Sequence, residues 1–460
     1  MFKRYIISKF FLLFGDFILI YLALFLALII RHGDFSFLSN IKIGVFLFHF
    51  SSLALFWIMF LYILNFYEIP PFRRVFVFFK NLLIFFFLAG ALGVAYFYLR
   101  PEAIITPKTI LFLDIMMFSV LFCIWRYVFG RILKLRNFKE KMIVIGFRSG
   151  LEELVDSNLL SGAGYEVSAF FSPEPSFFEK VSSFSGLAKH GVVSDINELK
   201  KIIKKERVGT VVFPRFLEGN EKIIQQIFFN LPLKLNYISF ADLYETLTKK
   251  VPIGAVNEAW FLENLSRSEK NVEEMVKRLF DIIFSFVWFV ITVVLFPFVA
   301  LVIKLDSSGH IFYTQKRIGK EGKIFKLYKF RTMVENAEQD GPQWAQPNDP
   351  RVTRIGKVLR KLYLDEFPQF YNILKGDISF VGPRPERPEF VEKLKEEIPY
   401  YDIRHLIKPG FTGWAQINYH YGASVEEAKE KLQYDLYYIK NRNFFMDLGI
   451  ILKTVRMIFR

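Results

Sequence analysis

Cysteine occurs once in 460 residues, at Cys123. One thiol forms no internal disulfide, which fits a reducing compartment and excludes a disulfide-stapled secreted scaffold. Cys123 lies in an apolar run, where a thiol packs rather than reacts. The six histidines are scattered, with no zinc-ligand spacing. No nucleic-acid motif, internal repeat or low-complexity stretch occurs. No small-residue cleavage site follows the first apolar run, so a cleaved signal peptide is not expected. Acid is in short supply: 45 Asp and Glu stand against 60 Lys and Arg, a net charge of +15. Such a surplus suits nucleic acid, an anionic membrane face or an anionic substrate. The abundant residues favour the membrane, since the chain is 53% hydrophobic with 56 phenylalanines.

Four apolar segments fill the first third, at 10–30, 44–64, 75–99 and 110–128. Each is near the ~20 residues a helix needs to cross a bilayer. Residues 1–136 are therefore expected to form a four-helix transmembrane bundle. Lys3, Arg4 and Lys9 precede the first segment, Arg73, Arg74 and Lys80 flank the third, and Arg126, Arg131, Lys134, Arg136, Lys139 and Lys141 gather at the end of the fourth. The positive-inside rule puts both ends of the bundle in the cytoplasm. Asp16 and Asp114 sit inside apolar segments, where a carboxylate needs a partner or water unless it has a function.

Residues 137–250 change character. KMIVIGF and VGTVVFP read as short buried strands alternating with helical stretches, a small Rossmann-like α/β domain. After the first strand comes Gly146-Phe147-Arg148-Ser149-Gly150. Arg148 stands where a dinucleotide fingerprint has its second glycine and would block a pyrophosphate, so no NAD site is expected. Residues 251–274 read as a linker. In 275–305 the apolar run Ile282–Ile303 is long enough to span, but Pro297 removes a backbone hydrogen bond and kinks or breaks the helix. Lys277 and Arg278 before the run and Lys304 after it make both ends basic. The run is a re-entrant membrane helix or a fifth crossing. At the far end, Phe444–Arg460 suits an amphipathic helix on the membrane surface or one packed on the domain.

Candidate chemistry concentrates in RKLYLDEFPQFYNILKGDISFVGPRPERPEF, residues 360–390. It pairs Asp365 with Glu366, then presents Arg384 and Arg387 on a proline-stiffened loop. Carboxylates beside fixed guanidinium groups suit phosphate chemistry: a nucleophile or metal ligand, with clamps for phosphoryl oxygens. A helical pattern runs through Leu374, so Asp365 or Glu366 should lie near a helix N-terminus, where anions are favoured. Taken alone, Asp365 also fits a helix N-cap. Upstream, FYTQKRIGKEGKIFKLYKFRTM, residues 312–333, supplies Arg317, Lys329 and Arg331. These are candidates for contacting an anionic substrate or ordering the site, or form the solvated face of a basic strand.

The wording of these segments, with Lys408-Pro409-Gly410-Phe411-Thr412-Gly413-Trp414-Ala415-Gln416 downstream, resembles the bacterial sugar transferases. The resemblance implies transfer of a sugar-1-phosphate from a nucleotide sugar, a UDP-sugar by family habit, to polyprenyl (undecaprenyl) phosphate. It implies Asp365 as the nucleophile of a covalent aspartyl-phosphosugar intermediate and Glu366 as ligand to Mg2+. Arg360 and Arg384 carry the phosphate-binding role, with Lys329, Arg331, Arg317 and Arg387 behind them. It also implies a re-entrant helix broken at Pro297, where members commonly have Ser-Pro and this chain has Phe296-Pro297. A mainly helical α+β catalytic domain then occupies 306–460, facing the cytoplasm at the bacterial inner membrane. The product would initiate a surface polysaccharide or glycoconjugate. The run Asn418-Tyr419-His420-Tyr421-Gly422 departs from the family's Asn-Gly-Arg, so no sugar contact is carried there. The resemblance leaves a homodimer open. Two rivals remain: an NAD-dependent nucleotide-sugar oxidoreductase using residues 137–250, and a non-catalytic membrane scaffold.

Overall fold

The computed structural model describes residues 2–458 apart from 34–42, 68–74, 100–107, 136–139, 147–149, 157–158, 173–190, 215–224, 226–227, 230–233, 266–270, 340, 342–348 and 420–423. Arg73, Arg74, Arg136, Lys139, Arg148 and His420 therefore lie outside the described residues. The chain divides into two compact units, Met1–Glu140 with Asn158–Glu166, and Lys141–Ser157 with Val167–Arg460.

The long helices described in the first unit are α1 (Phe2–His32), α2 (Ile43–Ile63), α3 (Val75–Tyr98) and α4 (Lys108–Leu135). α1, α3 and α4 are long and apolar enough to cross a membrane, and α2 has a shorter apolar run, Leu47–Ile63. Trp57, Phe85, Phe118 and Phe122 fill the centre, while Phe10, Phe76 and Phe87 point outward. Such a bundle, apolar outside as well as inside, matches lipid on one side and close packing on the other. Close approach needs small residues: a Cβ on Gly15 would lie 2.5 Å from the Trp125 ring. Next to it, Arg126 donates to Asp16 at 2.7 Å, with both side chains fully buried. Arg126 was expected as a flanking charge. It instead turns inward, because Asp16 and the Phe122 face, 4.3 Å from its guanidinium carbon, give it better company than lipid. Asp16 thus has its partner, whereas Asp114 Oδ1 is buried with none among the described residues.

The second unit opens with a five-stranded sheet ordered β3-β2-β1-β4-β5. Its strands are β1 (Glu140–Ile145), β2 (Tyr165–Phe171), β3 (Gly191–Val193), β4 (Thr210–Phe213) and β5 (Asn236–Ser239). The pairs β1–β4, β2–β3 and β4–β5 are parallel. Met142–Ile145 is buried throughout, as a strand covered on both faces must be. The turn after β1 places Gly150 at φ +98°, and a Cβ there would lie 2.7 Å from the Tyr244 ring. Tyr244, on α5 (Phe240–Thr248), covers the ground next to this turn and donates its hydroxyl to Glu153.

Residues 251–265, expected as linker, are packed instead. Val251, Ile253, Val256 and Trp260 join one core with Ile373, Phe380 and Leu436. The apolar character of VPIGAVNEAWF, too rich for a solvated connection, is the physical reason.

α6 (Asn271–Asp306) follows, 36 residues or about 54 Å long. It stays helical through Pro297, so, of the expected kink or break, the chain does not leave the helix there. Phe296, Val299 and Ile303 pack against Phe330 and Leu359 around that point, and this offsets the ~3 kcal/mol a mid-helix proline costs. Both ends of α6 are bonded to the same domain. Near its start, Arg278 donates to the carbonyls of Ile373 and Leu374 at 2.7 Å each. Asp281 accepts from the Ser379 hydroxyl at 2.8 Å and the Phe380 N–H at 3.0 Å. At its end, Asp306 accepts from the Ile355 N–H at 2.9 Å. The opposite face, with Leu279, Ile283, Phe286, Val290, Val294, Phe298 and Leu305, is exposed.

The rest of the unit contains an antiparallel hairpin, β6 (Phe312–Ile318) and β7 (Ile324–Phe330), that pairs Tyr313 with Lys329 and Arg317 with Phe325. Short parallel strands β8 (Ser379–Val381) and β9 (Gly410–Thr412) lie beyond. Its helices include α7 (Arg354–Lys361), α8 (Gln369–Lys375), α9 (Val425–Asn441) and α10 (Phe444–Ile458). α10 packs on the domain: Ile450 is fully buried and Thr454 bonds Thr412 at 2.6 Å. Its first residues, Phe444 and Phe445, remain exposed.

Candidate active site

α7 is capped by Thr353, whose side chain accepts from the Gly356 N–H, and the chain turns sharply at Tyr363, φ +56°. A side chain in the left-handed region is costly, and such residues concentrate where a turn must present a neighbour. Here the turn presents Asp365 and Glu366 in a single 3₁₀ turn, Leu364–Glu366. α8 begins only at Gln369. The pair therefore precedes the helix rather than sitting in its first turn, because Leu364–Phe367 closes with the tighter i→i+3 bond.

Both carboxylates are almost buried, at 8% and 7% exposure, yet their surroundings differ. Glu366 Oε1 accepts from Lys329 Nζ at 2.6 Å and from Arg384 Nη2 at 2.8 Å. Asp365 accepts no hydrogen bond among the described residues. Burial pushes both pKa values up. At Glu366, Lys329 and Arg384 outweigh it and hold the carboxyl well below the usual range. At Asp365, burial and the neighbouring Glu366 charge prevail over Lys329, Arg360 and Arg384, so its pKa is raised. Two adjacent carboxylates with opposite shifts are suited to different work: Glu366 stays an anion, and Asp365 is the more basic of the two.

The sequence candidates separate into two groups. Lys329, Arg384 and Arg360 surround the pair: Arg360 Nε donates to Thr332 Oγ1 at 2.9 Å, and its terminal nitrogens have no protein acceptor among the described residues. The structure does not place Arg317, Arg331 and Arg387 on the carboxylates. Arg317 donates to the Pro385 carbonyl at 3.0 Å and faces Glu386. Arg387 pairs with Glu338 at 2.8 Å. Arg331 donates to the Ser307 carbonyl and hydroxyl, at 2.8 and 3.0 Å, where α6 ends. Each found an acceptor from a distant part of the chain, which spacing alone does not reveal.

The downstream Lys408–Trp414 segment also has a physical account. A Cβ on Gly410 would lie 2.0 Å from the Gly382 nitrogen, and one on Gly413 would lie 2.2 Å from the Gly382 oxygen. These glycines let β9 press its backbone against the loop that carries Arg384. With three cations (Lys329, Arg384, Arg360) around two anions, the cluster keeps a surplus positive charge beside Asp365. Such a surplus suits an anionic ligand.

Comparisons with known proteins agree. The family described as bacterial sugar transferase matches residues 272–460. An uncharacterised sugar transferase of Bacillus subtilis (strain 168) is 40% identical over 184 residues, 40% of this chain and 87% of that protein. The chain belongs to the bacterial sugar transferase family. A UDP-N-acetylgalactosamine-undecaprenyl-phosphate N-acetylgalactosaminephosphotransferase of Aeromonas hydrophila is 44% identical over 217 residues, covering 47% of this chain and 51% of that protein. The match thus spans about half the length of that relative. An undecaprenyl-phosphate galactose phosphotransferase of Salmonella typhimurium is 28% identical over 355 residues, covering 71% of this chain and 70% of its own. As a sugar transferase with four apolar N-terminal helices, this chain is a membrane protein. Sequence reading missed Thr332, which orients Arg360, and Tyr363, whose backbone presents the carboxylates. Thr332 stood in the Lys-Phe-Arg-Thr-Met run and could have been singled out, whereas nothing in a tyrosine announces a positive φ.

Proposed function

We propose that the chain transfers a sugar-1-phosphate from a UDP-sugar to undecaprenyl phosphate in two displacements. In the first, an Asp365 oxygen attacks the sugar-linked phosphorus; the bond to the nucleotide's bridging oxygen breaks and uridine monophosphate leaves. In the second, an oxygen of the lipid phosphate attacks the same phosphorus and Asp365 departs as a carboxylate. The observation that carries this reading is the contrast between Asp365, without a hydrogen bond, and Glu366, held by Lys329 and Arg384. Arg360 and Arg384 bind phosphoryl oxygens, and Lys329 keeps Glu366 ionised and fixed. Both ion pairs of Glu366 run through Oε1, which leaves Oε2 to ligate Mg2+ alongside substrate phosphate and water. When bound, that ion would draw charge from the leaving nucleotide.

The bonds from both ends of α6 to one domain support the re-entrant reading: a crossing would require parts of that one domain on both sides of the membrane. The basic flanks of the bundle support a site on the cytoplasmic side, where nucleotide sugars are met. The strand order 3-2-1-4-5 is that of a Rossmann-like domain, and Tyr244 covering Gly150 supports one without a dinucleotide. The test is a screen of UDP-sugars with purified protein, undecaprenyl phosphate and magnesium. Lipid-dependent release of uridine monophosphate with at least one sugar is expected; none with any sugar would sink the reading.

A further inference from the structure

Arg384 sits on a loop whose backbone is held at every carbonyl from 383 to 386. Pro383 O accepts from the Gly410 N–H at 2.8 Å, and Glu386 O accepts from the Ile318 N–H at 3.0 Å. Pro385 O accepts from Arg317 Nη1 at 3.0 Å. Arg384 O itself accepts from Arg404 Nη2 at 2.9 Å. Arg404 lies in the 3₁₀ turn Tyr401–Leu406 and is 6% exposed. Its Nη2 also donates to Asp435 Oδ2 on α9 at 2.8 Å, and its Nη1 to the Tyr401 hydroxyl at 2.6 Å. Asp435 is 1% exposed and Tyr401 3%.

A buried pair of this kind is weak evidence for stability, since hydrophobic residues of similar volume often serve as well. A guanidinium offers something they lack: planar donors that fix three acceptors at once. Arg404 ties a helix, a turn and the Arg384 backbone together at one point. On the other side of that backbone, the Arg384 side chain reaches Glu366 at 2.8 Å.

We propose that Arg404, neutralised by Asp435, is a positioning residue: it fixes the backbone of Arg384 so that the Arg384 guanidinium meets Glu366 and an incoming phosphoryl group in one orientation. Arg404 touches neither the carboxylate pair nor substrate and acts through Arg384. Thr332 aims Arg360 in the same manner from the other side of the site, through its hydroxyl. The inference rests on the two-displacement reading above.

The experiment is a double-mutant cycle on the full chain, with undecaprenyl phosphate, magnesium and whichever UDP-sugar the wild type consumes. Uridine monophosphate release gives kcat/KM for wild type, Arg404→Lys, Arg384→Lys and the double variant. Arg404→Lys should lose about tenfold or more, while in the Arg384→Lys background the same change should cost no more than about twofold, because the residue it serves is already gone. An equal fractional loss in both backgrounds, or wild-type kcat/KM in Arg404→Lys, overturns the proposal. Should Arg404→Lys fail to fold, Asp435→Asn replaces it in the cycle with the same expected non-additivity and the same overturning results. Failure of the underlying reaction looks different: the wild type itself would release no uridine monophosphate.

Discussion

Two buried ion clusters in this chain are built to opposite plans. In the helical bundle, Asp16 and Arg126 pair one to one at 2.7 Å, fully buried, with an aromatic face over the guanidinium. In the catalytic domain, Glu366 is shared by Lys329 and Arg384, Arg360 stands close by, and Asp365 accepts no hydrogen bond among the described residues. The first cluster sets one cation against one anion and is electrically balanced. The second has more cations than anions and leaves one carboxylate without a hydrogen bond among the described residues. Burial alone therefore does not mark function; an unbalanced cluster around an open carboxylate does.

The comparison breaks most sharply on Asp365→Asn. Uridine monophosphate release should fall by at least about 10³-fold with the fold intact, as read by turnover and thermal unfolding. Next in size is Arg126→Ala. Leaving Asp16 buried and unpaired should destabilise the protein by about 3–5 kcal/mol, while activity per folded molecule is unchanged. Joint replacement by Asp16→Leu and Arg126→Met should restore most of the loss in detergent melts. If Arg126→Ala instead removed activity from well-folded protein, the balanced cluster would have a role in turnover.

A smaller effect sharpens the contrast within the catalytic cluster. Arg360→Ala should lower kcat/KM about 10²-fold, whereas Arg387→Lys, still able to meet Glu338, should stay within about threefold. Equal losses would mean that the ion pairs do not separate the working arginines from the supporting ones. The smallest effect concerns pH. The raised pKa of Asp365 means that its ionised form costs stability in the folded state, fully above its folded pKa and not at all below the ordinary value of 3.8. Asp365→Asn should therefore melt slightly higher than wild type at neutral pH, and the advantage should vanish as pH falls below about 4. A wild type that melts higher at neutral pH would contradict the assignment.

Much of this was legible in the chain. The apolar runs matched α2 and α3 to within a residue, whereas α1 starts eight residues earlier and α4 ends seven later, where the helix continues past the apolar run. Asp365, Glu366, Arg360 and Arg384 stood in one readable stretch. Destinations that depend on distant partners were not legible. Arg126 turned from flank to core because Asp16 lies 110 residues away. Arg387 and Arg384 share one loop, yet Glu338 takes one and Glu366 the other. The packing of 251–265 was visible in its apolar residues, but not which core it would join. Pro297 read as a kink or a break, and the packing that keeps the chain helical through it was not visible.

The central claim is the aspartyl intermediate, and one measurement addresses it directly. The protein is incubated without lipid acceptor with a UDP-sugar carrying radiolabelled phosphorus next to the sugar, then denatured and resolved. Label should stay with the wild-type chain, be absent from Asp365→Asn, and leave the protein when undecaprenyl phosphate is added before denaturation. Label retained by Asp365→Asn, or none on a wild type that still completes the transfer when lipid is present, would contradict the account.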